Sequence, residues 1–266
     1  MAQRFPERVT IVTGGGSGLG RSMALRFAKE GAKVVVADVD GPRANEVADA
    51  IISEGGEALS QTTDVTNADD VKAMVAAVRN TFGAADILVN NAAKATDADF
   101  SDLTEEAWDA DVATTLKGPF LCSQAVLVDM TKRGSGTILN ISSVNALAYF
   151  GNEAYSAAKA GLLSLTRSLA VRYGPLGIRV NAIAPGTLKT QAWEERIKNN
   201  PDVLDQVSKW YPLGRVGDPD DVVGAALFLA SDEAAWISGV VLPIEGALTA
   251  GNLQMVEDIM RRRPSV

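Results

Sequence analysis

The chain has 266 residues, 47% of them hydrophobic and 22% charged, which suits one large α/β domain with a sizeable core. Its formal net charge of −8 argues against non-specific attraction to nucleic acid or to an anionic membrane surface. Histidine is absent, which excludes a Ser-His-Asp triad, a Cys-His pair and an imidazole zinc site, so no metal is expected.

In chain order, the N-terminus carries no signal-peptide core, and no run of about 18 apolar residues follows anywhere. Short β-branched runs then alternate with segments of helical period. Strands are predicted at Val9–Thr13, Lys33–Asp38, Ala58–Thr63, Asp86–Asn90, Thr137–Ser142, Ile178–Ala184 and Val240–Ile244. Helices are predicted over Leu19–Glu30, Arg43–Ser53, Asp69–Phe82, Leu103–Arg133, Ala154–Tyr173 and Asp220–Ala230. The lone cysteine, Cys122, falls in an apolar run beside Phe120 and Leu121 and reads as a buried structural thiol. With no second cysteine to pair it, a reducing compartment, the cytoplasm, is expected. Arg261, Arg262 and Arg263 read as a solvated tail.

Strands apolar on both faces, alternating with helices, specify a parallel sheet covered on both sides. Right-handed crossovers then give a Rossmann-type, doubly wound, three-layer α/β/α fold, here as a single domain over 1–266. One irregular stretch, about 185–219, interrupts the pattern and reads as a substrate-covering lid.

The first strand runs into Thr13-Gly-Gly-Gly-Ser-Gly-Leu-Gly20, and a helix follows. Gly14, Ser17, Gly18, Leu19 and Gly20 would form a tight turn that lets backbone approach a pyrophosphate, with the helix N-terminus facing the anion. Asp38 closes the second strand, where a carboxylate can accept hydrogen bonds from both adenosine ribose hydroxyls and would repel a 2′-phosphate. NAD is therefore expected in preference to NADP. Asp64 and Val65, after the third strand, are candidate adenine contacts.

Tyr155 and Lys159 are spaced i, i+4 on a predicted helix and share one face. A tyrosine with a pKa of about 10 is a poor base at neutral pH. An adjacent ammonium favours the phenolate and would make it a usable acid/base for alcohol–ketone chemistry.

With these features in place, the sequence resembles the short-chain dehydrogenase/reductases from about Arg8 to Gly251. The marks, in order, are TGGGSGLG at 13–20, Asp64, NNA at 90–92, the serine of NISSVN and YSAAK at 155–159. APGTLKT at 184–190 and PLGRVGDPDDV at 212–222 complete the set. The resemblance implies an NAD-dependent oxidoreductase acting on a secondary alcohol or ketone. Tyr155 would be its general acid/base, and Lys159 both a pKa modulator and a ribose ligand. A strand-end serine would polarise the substrate oxygen. Asn90, Asn91, Ala92, Pro185 and Gly186 would border the cofactor, and Thr190 would touch it near the nicotinamide. The family's helix pairing across two-folds implies a homotetramer.

Four departures stand out. The serine is Ser142 by the family's commonest spacing from Tyr155 and Ser143 by alignment of the strand end. Ser143 is preferred, because shifting a strand by one residue flips every side chain. Thr115 occupies the place of the family's catalytic asparagine, where it can bond a water but cannot reproduce an amide. NNAG reads Asn90-Asn91-Ala92-Ala93, and the D-G-G near the end reads Glu245-Gly246-Ala247. Asn145, Tyr149, Thr187 and Trp193, with Ser143, are the candidate substrate contacts, a set suited to a small or medium hydrophobic or cyclic substrate. Thr115 also motivates an alternative, a non-catalytic NAD(H)-binding protein with a redox-sensing or scaffold role.

Overall fold

The computed structural model describes residues 3–260; the Arg261–Arg263 tail lies outside them. Seven strands form one parallel sheet: β1 (Val9–Thr13), β2 (Lys33–Asp38), β3 (Ala58–Thr62), β4 (Ile87–Asn90), β5 (Gly136–Ile141), β6 (Ile178–Pro185) and β7 (Val241–Ile244). Their order is β3-β2-β1-β4-β5-β6-β7. The direction of winding reverses between β1 and β4, which opens a crevice at the carboxyl ends of the strands.

The two-residue period of the strands divides the core in two. Val34 and Val36 of β2 face one layer with Met23 and Phe27 of α1 (Gly18–Lys29), Val47 and Ile51 of α2 (Gly41–Ser53), and Leu227, far along the chain. Val35 and Ala37 face the other layer with Val71, Met74 and Val78 of α3 (Ala68–Thr81), and with Cys122 and Met130. Cys122 is fully buried, and burial pushes its thiol up to about 12, so it is inert packing.

The long helix expected to end at Arg133 is divided. α4 (Glu105–Val112) passes into a π-helical turn, Ala113–Lys117, before α5 (Gly118–Arg133). An i→i+5 turn inserts one residue and re-aims the chain, usually where something outside the helix holds it. Here the Thr114 hydroxyl donates to the Ala110 carbonyl (2.9 Å), and Thr115 turns inward, fully buried.

α6 (Glu153–Tyr173) follows as expected. The 185–219 stretch is more ordered than its sequence suggests, with a 3₁₀ turn at Gln191–Trp193, α7 (Glu194–Asn199) and α8 (Val203–Ser208). α9 (Pro219–Ala230), which carries Leu227, begins with a reciprocal Asp218–Asp221 capping box. α10 (Leu253–Met260) had no counterpart in the sequence reading. Among the described residues, no helix is long and apolar enough to cross a membrane.

Candidate active site

A cleft of about 1370 Å³ opens at the carboxyl ends of the strands. Its floor at one end is the Gly-rich turn. Gly14 sits at φ +62°, where a Cβ would come within 2.9 Å of the Ala92 Cα. A Cβ on Gly20 would collide with the Gly14 carbonyl oxygen, so helix and turn meet only because both residues are glycine. Asn91 braces the turn, donating from its amide to the carbonyls of Thr13 (3.0 Å) and Gly14 (3.1 Å). Ser17 precedes α1 without capping it through its side chain; Gln191 Oε1 accepts the Gly18 N–H (3.2 Å), and the next first-turn N–H groups are left for an anion.

Asp38 ends β2 at the mouth of this turn. Its carboxylate accepts the Gly16 N–H (2.9 Å) and the Asp40 N–H (3.0 Å), which fixes it facing the cleft beside Arg43. Asp64 and Val65 line the same end, with Asp64 accepting the Thr66 N–H and hydroxyl, both at 2.8 Å. These features fit a dinucleotide: close-packed glycines, N–H groups at a helix N-terminus and a carboxylate at the end of β2.

At the other end, α6 presents Tyr155 and Lys159 together, with the Lys159 Nζ 5.4 Å from the tyrosine ring centroid. Lys159 is buried and donates to the Ile141 carbonyl (2.5 Å). Desolvation pushes its ammonium down to about 7. Tyr155 moves the opposite way from the sequence expectation. Burial raises its pKa, a hydrogen bond with Ser143 opposes the rise, and no compensating charge outweighs the desolvation.

The two serines separate cleanly. Ser142 donates to the Lys159 carbonyl (3.1 Å), whereas the Ser143 hydroxyl donates to the Asn145 side-chain oxygen (3.1 Å), accepts the Asn145 N–H (3.2 Å) and lowers the Tyr155 pKa. Asn145 also holds the following loop, donating to the Gly151 carbonyl (3.0 Å) and to the Ser156 hydroxyl (3.2 Å).

Of the residues named from the sequence, Ala92, Pro185, Gly186, Thr187, Thr190 and Trp193 line the cleft, and Leu188 joins them. Three expected residues do not. Asn90 lies beneath the floor, and its amide donates to Ser123 (3.1 Å) and Asn140 (2.8 Å). β4 alternates, so Asn90 faces the core while Asn91 faces the cleft. Tyr149 points to solvent, 78% exposed, and bonds Glu153 (3.2 Å); its neighbour Phe150 takes the wall position. Thr115 is buried behind the wall. Its hydroxyl accepts the Lys94 N–H and donates to the Lys94 carbonyl, both at 3.1 Å. One hydroxyl thus serves as donor and acceptor together, the two functions an amide would divide between its atoms.

Lys94, Phe150 and Asn152 went unread as site residues. Asn152 carries a signal of a kind, since it adopts φ +54° at the start of α6, a conformation that asparagine tolerates better than most residues.

Comparison with known proteins agrees with this geometry. Residues 14–249 match the family model described as enoyl-(acyl carrier protein) reductase. An uncharacterized oxidoreductase of Schizosaccharomyces pombe is 45% identical over 253 residues, 95% of each chain. The cis-4-hydroxycyclohexanecarboxylate dehydrogenase of Sinomonas cyclohexanicum is 41% identical, covering 94% of this chain and all of that one. A crystal structure of a short-chain dehydrogenase/reductase-family oxidoreductase from Burkholderia thailandensis superposes with a TM-score of 0.90 at 40% identity, covering 96% of this chain and 98% of that one. The chain is an oxidoreductase and belongs to the short-chain dehydrogenase/reductase family.

Proposed function

We propose that this protein is an NAD-dependent oxidoreductase that interconverts a secondary alcohol and its ketone, with Tyr155 as the general acid/base. The observation that carries the reading is the cluster of Ser143, Tyr155 and Lys159 at one end of a cleft whose other end is a dinucleotide cradle closed by Asp38. The Gly14–Gly20 turn, Asp38, Asp64, Val65, Asn91, Ala92, Pro185, Gly186 and Thr190 would hold the cofactor. When bound, NAD(H) supplies or accepts the hydride.

The protein's own part is proton handling. Tyr155, held protonated by burial, delivers its phenolic proton to the carbonyl oxygen as negative charge develops there. Ser143 donates a hydrogen bond to that same oxygen. Lys159 titrates near neutrality, so it can take up and release a proton at working pH and, when charged, favours the phenolate in the oxidation direction. Asp38 disfavours a 2′-phosphate, so NADH binds more tightly than NADPH. Gln191–Ser208 covers the substrate, the chain assembles as a homotetramer, and the cytoplasm suits its unpaired Cys122.

Cofactor-fluorescence titration of Tyr155→Phe tests the central role. NADH affinity stays within a few-fold of wild type, while ketone-dependent NADH oxidation falls by about two to four orders of magnitude. Retained turnover would remove Tyr155 from the chemistry.

A further inference from the structure

The segment after β4 has no regular secondary structure from 91 to 99, yet three side chains hold it, two of them buried. Thr115 takes both backbone groups of Lys94. Asp111, almost completely buried on α4, uses one oxygen for the Thr96 N–H (2.8 Å) and the other for the Thr96 hydroxyl (2.9 Å). Asn152 donates to the Thr96 carbonyl (2.9 Å) from a position three residues before Tyr155. The segment is therefore a fixed wall at the catalytic end of the cleft, remote from the ribose end marked by Asp38.

The cationic side chains that line the cleft are unequal in their commitments. Arg196 of α7 lies 5.0 Å over the Trp193 ring and pairs with Asp97 (2.8 Å), so its charge is already met. Arg43, at the ribose end, pairs with Asp40 (3.2 Å). Lys159 is buried against the Ile141 carbonyl. Lys94 lines the same cleft, and among the described residues its ammonium has neither an ion-pair nor a hydrogen-bond partner. Lys94 is itself exposed, and Phe150, Trp193, Val207 and Trp210 line the same cleft. Apolar walls of this kind lower the local dielectric and strengthen attraction for an anion over that of a convex surface. Glu194, which lines the cleft without an ion-pair partner among the described residues, also lines an adjoining depression with Gly18 and Lys189, on the phosphate side.

We propose that Lys94 determines substrate specificity by binding a carboxylate that the alcohol or ketone substrate carries at a distance from its reacting carbon. The inference rests on the alcohol/ketone reading of the site and deepens it: the substrate is a hydroxy acid or keto acid with an apolar, cyclic or branched body. Thr115 and Asp111 are positioning residues for the segment that carries the ammonium.

The test uses a non-reacting pair of probes on the NADH-saturated protein, cyclohexanecarboxylate and the neutral cyclohexanecarboxamide, with affinity read from the change in cofactor fluorescence. Wild type is expected to bind the carboxylate at least tenfold more tightly than the amide, and added salt narrows the gap. Lys94→Gln abolishes the preference, and Lys94→Arg retains it. Equal binding of the two probes by wild type, no binding of either, or a preference that survives in Lys94→Gln would overturn the proposal. So would a loss of NADH affinity in Lys94→Gln, which would place the lysine on the cofactor. A protein that binds no NADH fails the functional reading itself. The same pair of probes, measured by calorimetry on the free protein, still decides the role of Lys94.

Discussion

Burial acts on Tyr155 and Lys159 in one sense, favouring the neutral form of each: the phenol's pKa rises and the ammonium's falls to about 7. The i, i+4 spacing made the pair legible in the sequence, because helix geometry alone puts them on one face. The direction of the tyrosine shift was not legible, because it depends on what packs around the ring. Strand alignment favoured Ser143 over Ser142, whereas Tyr149 was expected at the cleft and Phe150 was not considered; the loop's path puts Phe150 there instead. A pH dependence follows for Lys159. Its folded pKa lies below the ordinary 10.5, so the unfolded chain binds the proton more tightly and wild-type stability rises with pH between about 7 and 10.5. Lys159→Met removes this penalty. In urea unfolding, the variant's stability advantage over wild type should shrink by about 3 kcal/mol from pH 6 to pH 9. A pH-independent difference would mean that Lys159 is not desolvated as described.

At the scale of elements, all seven strands and most helices were readable, since a parallel sheet demands two-faced apolar strands and each crossover helix needs a matching stripe. The π turn at Ala113–Lys117 was not readable. Its cause is tertiary: Thr115 is drawn inward to a segment some twenty residues earlier in the chain, and no local periodicity records that. The threonine that looked like a loss against the family's asparagine is a satisfied anchor. Thr115→Val keeps the shape but strands the N–H and carbonyl of Lys94 in a part-buried setting. Destabilisation of about 1–3 kcal/mol is expected in denaturant titration, with Thr115→Ser close to wild type. Equal losses in the two variants would show that packing, and not the hydroxyl, holds the segment. The helices within 191–208 were hidden for a different reason: each spans about two turns or less, too short for a period to emerge.

At the scale of the whole molecule, the surface carries apolar groups that the monomer leaves uncovered. Trp236 is fully exposed beside the edge strand β7, and Phe120 and Val128 of α5 are exposed with Val171 of α6. Edge strands and helix faces of this kind are expected to be covered by copies of the chain. Sedimentation should give a species of four times the 27.9 kDa chain, and Trp236→Lys and Phe120→Lys should each yield smaller species. A monomeric wild type would contradict the assembly. Catalysis belongs to this scale too, because it requires cradle, tyrosine and covering helices to meet over one carbon atom. Isotope transfer reads that meeting directly: the protein is incubated with cyclohexanone derivatives, including 4-oxocyclohexanecarboxylate, and NADH deuterated at the transferable position, and the product is examined by mass spectrometry. The account predicts alcohol bearing one deuterium on the carbinol carbon, formed by wild type and nearly absent with Tyr155→Phe. Unlabelled alcohol, or equal labelling by the two proteins, would contradict it.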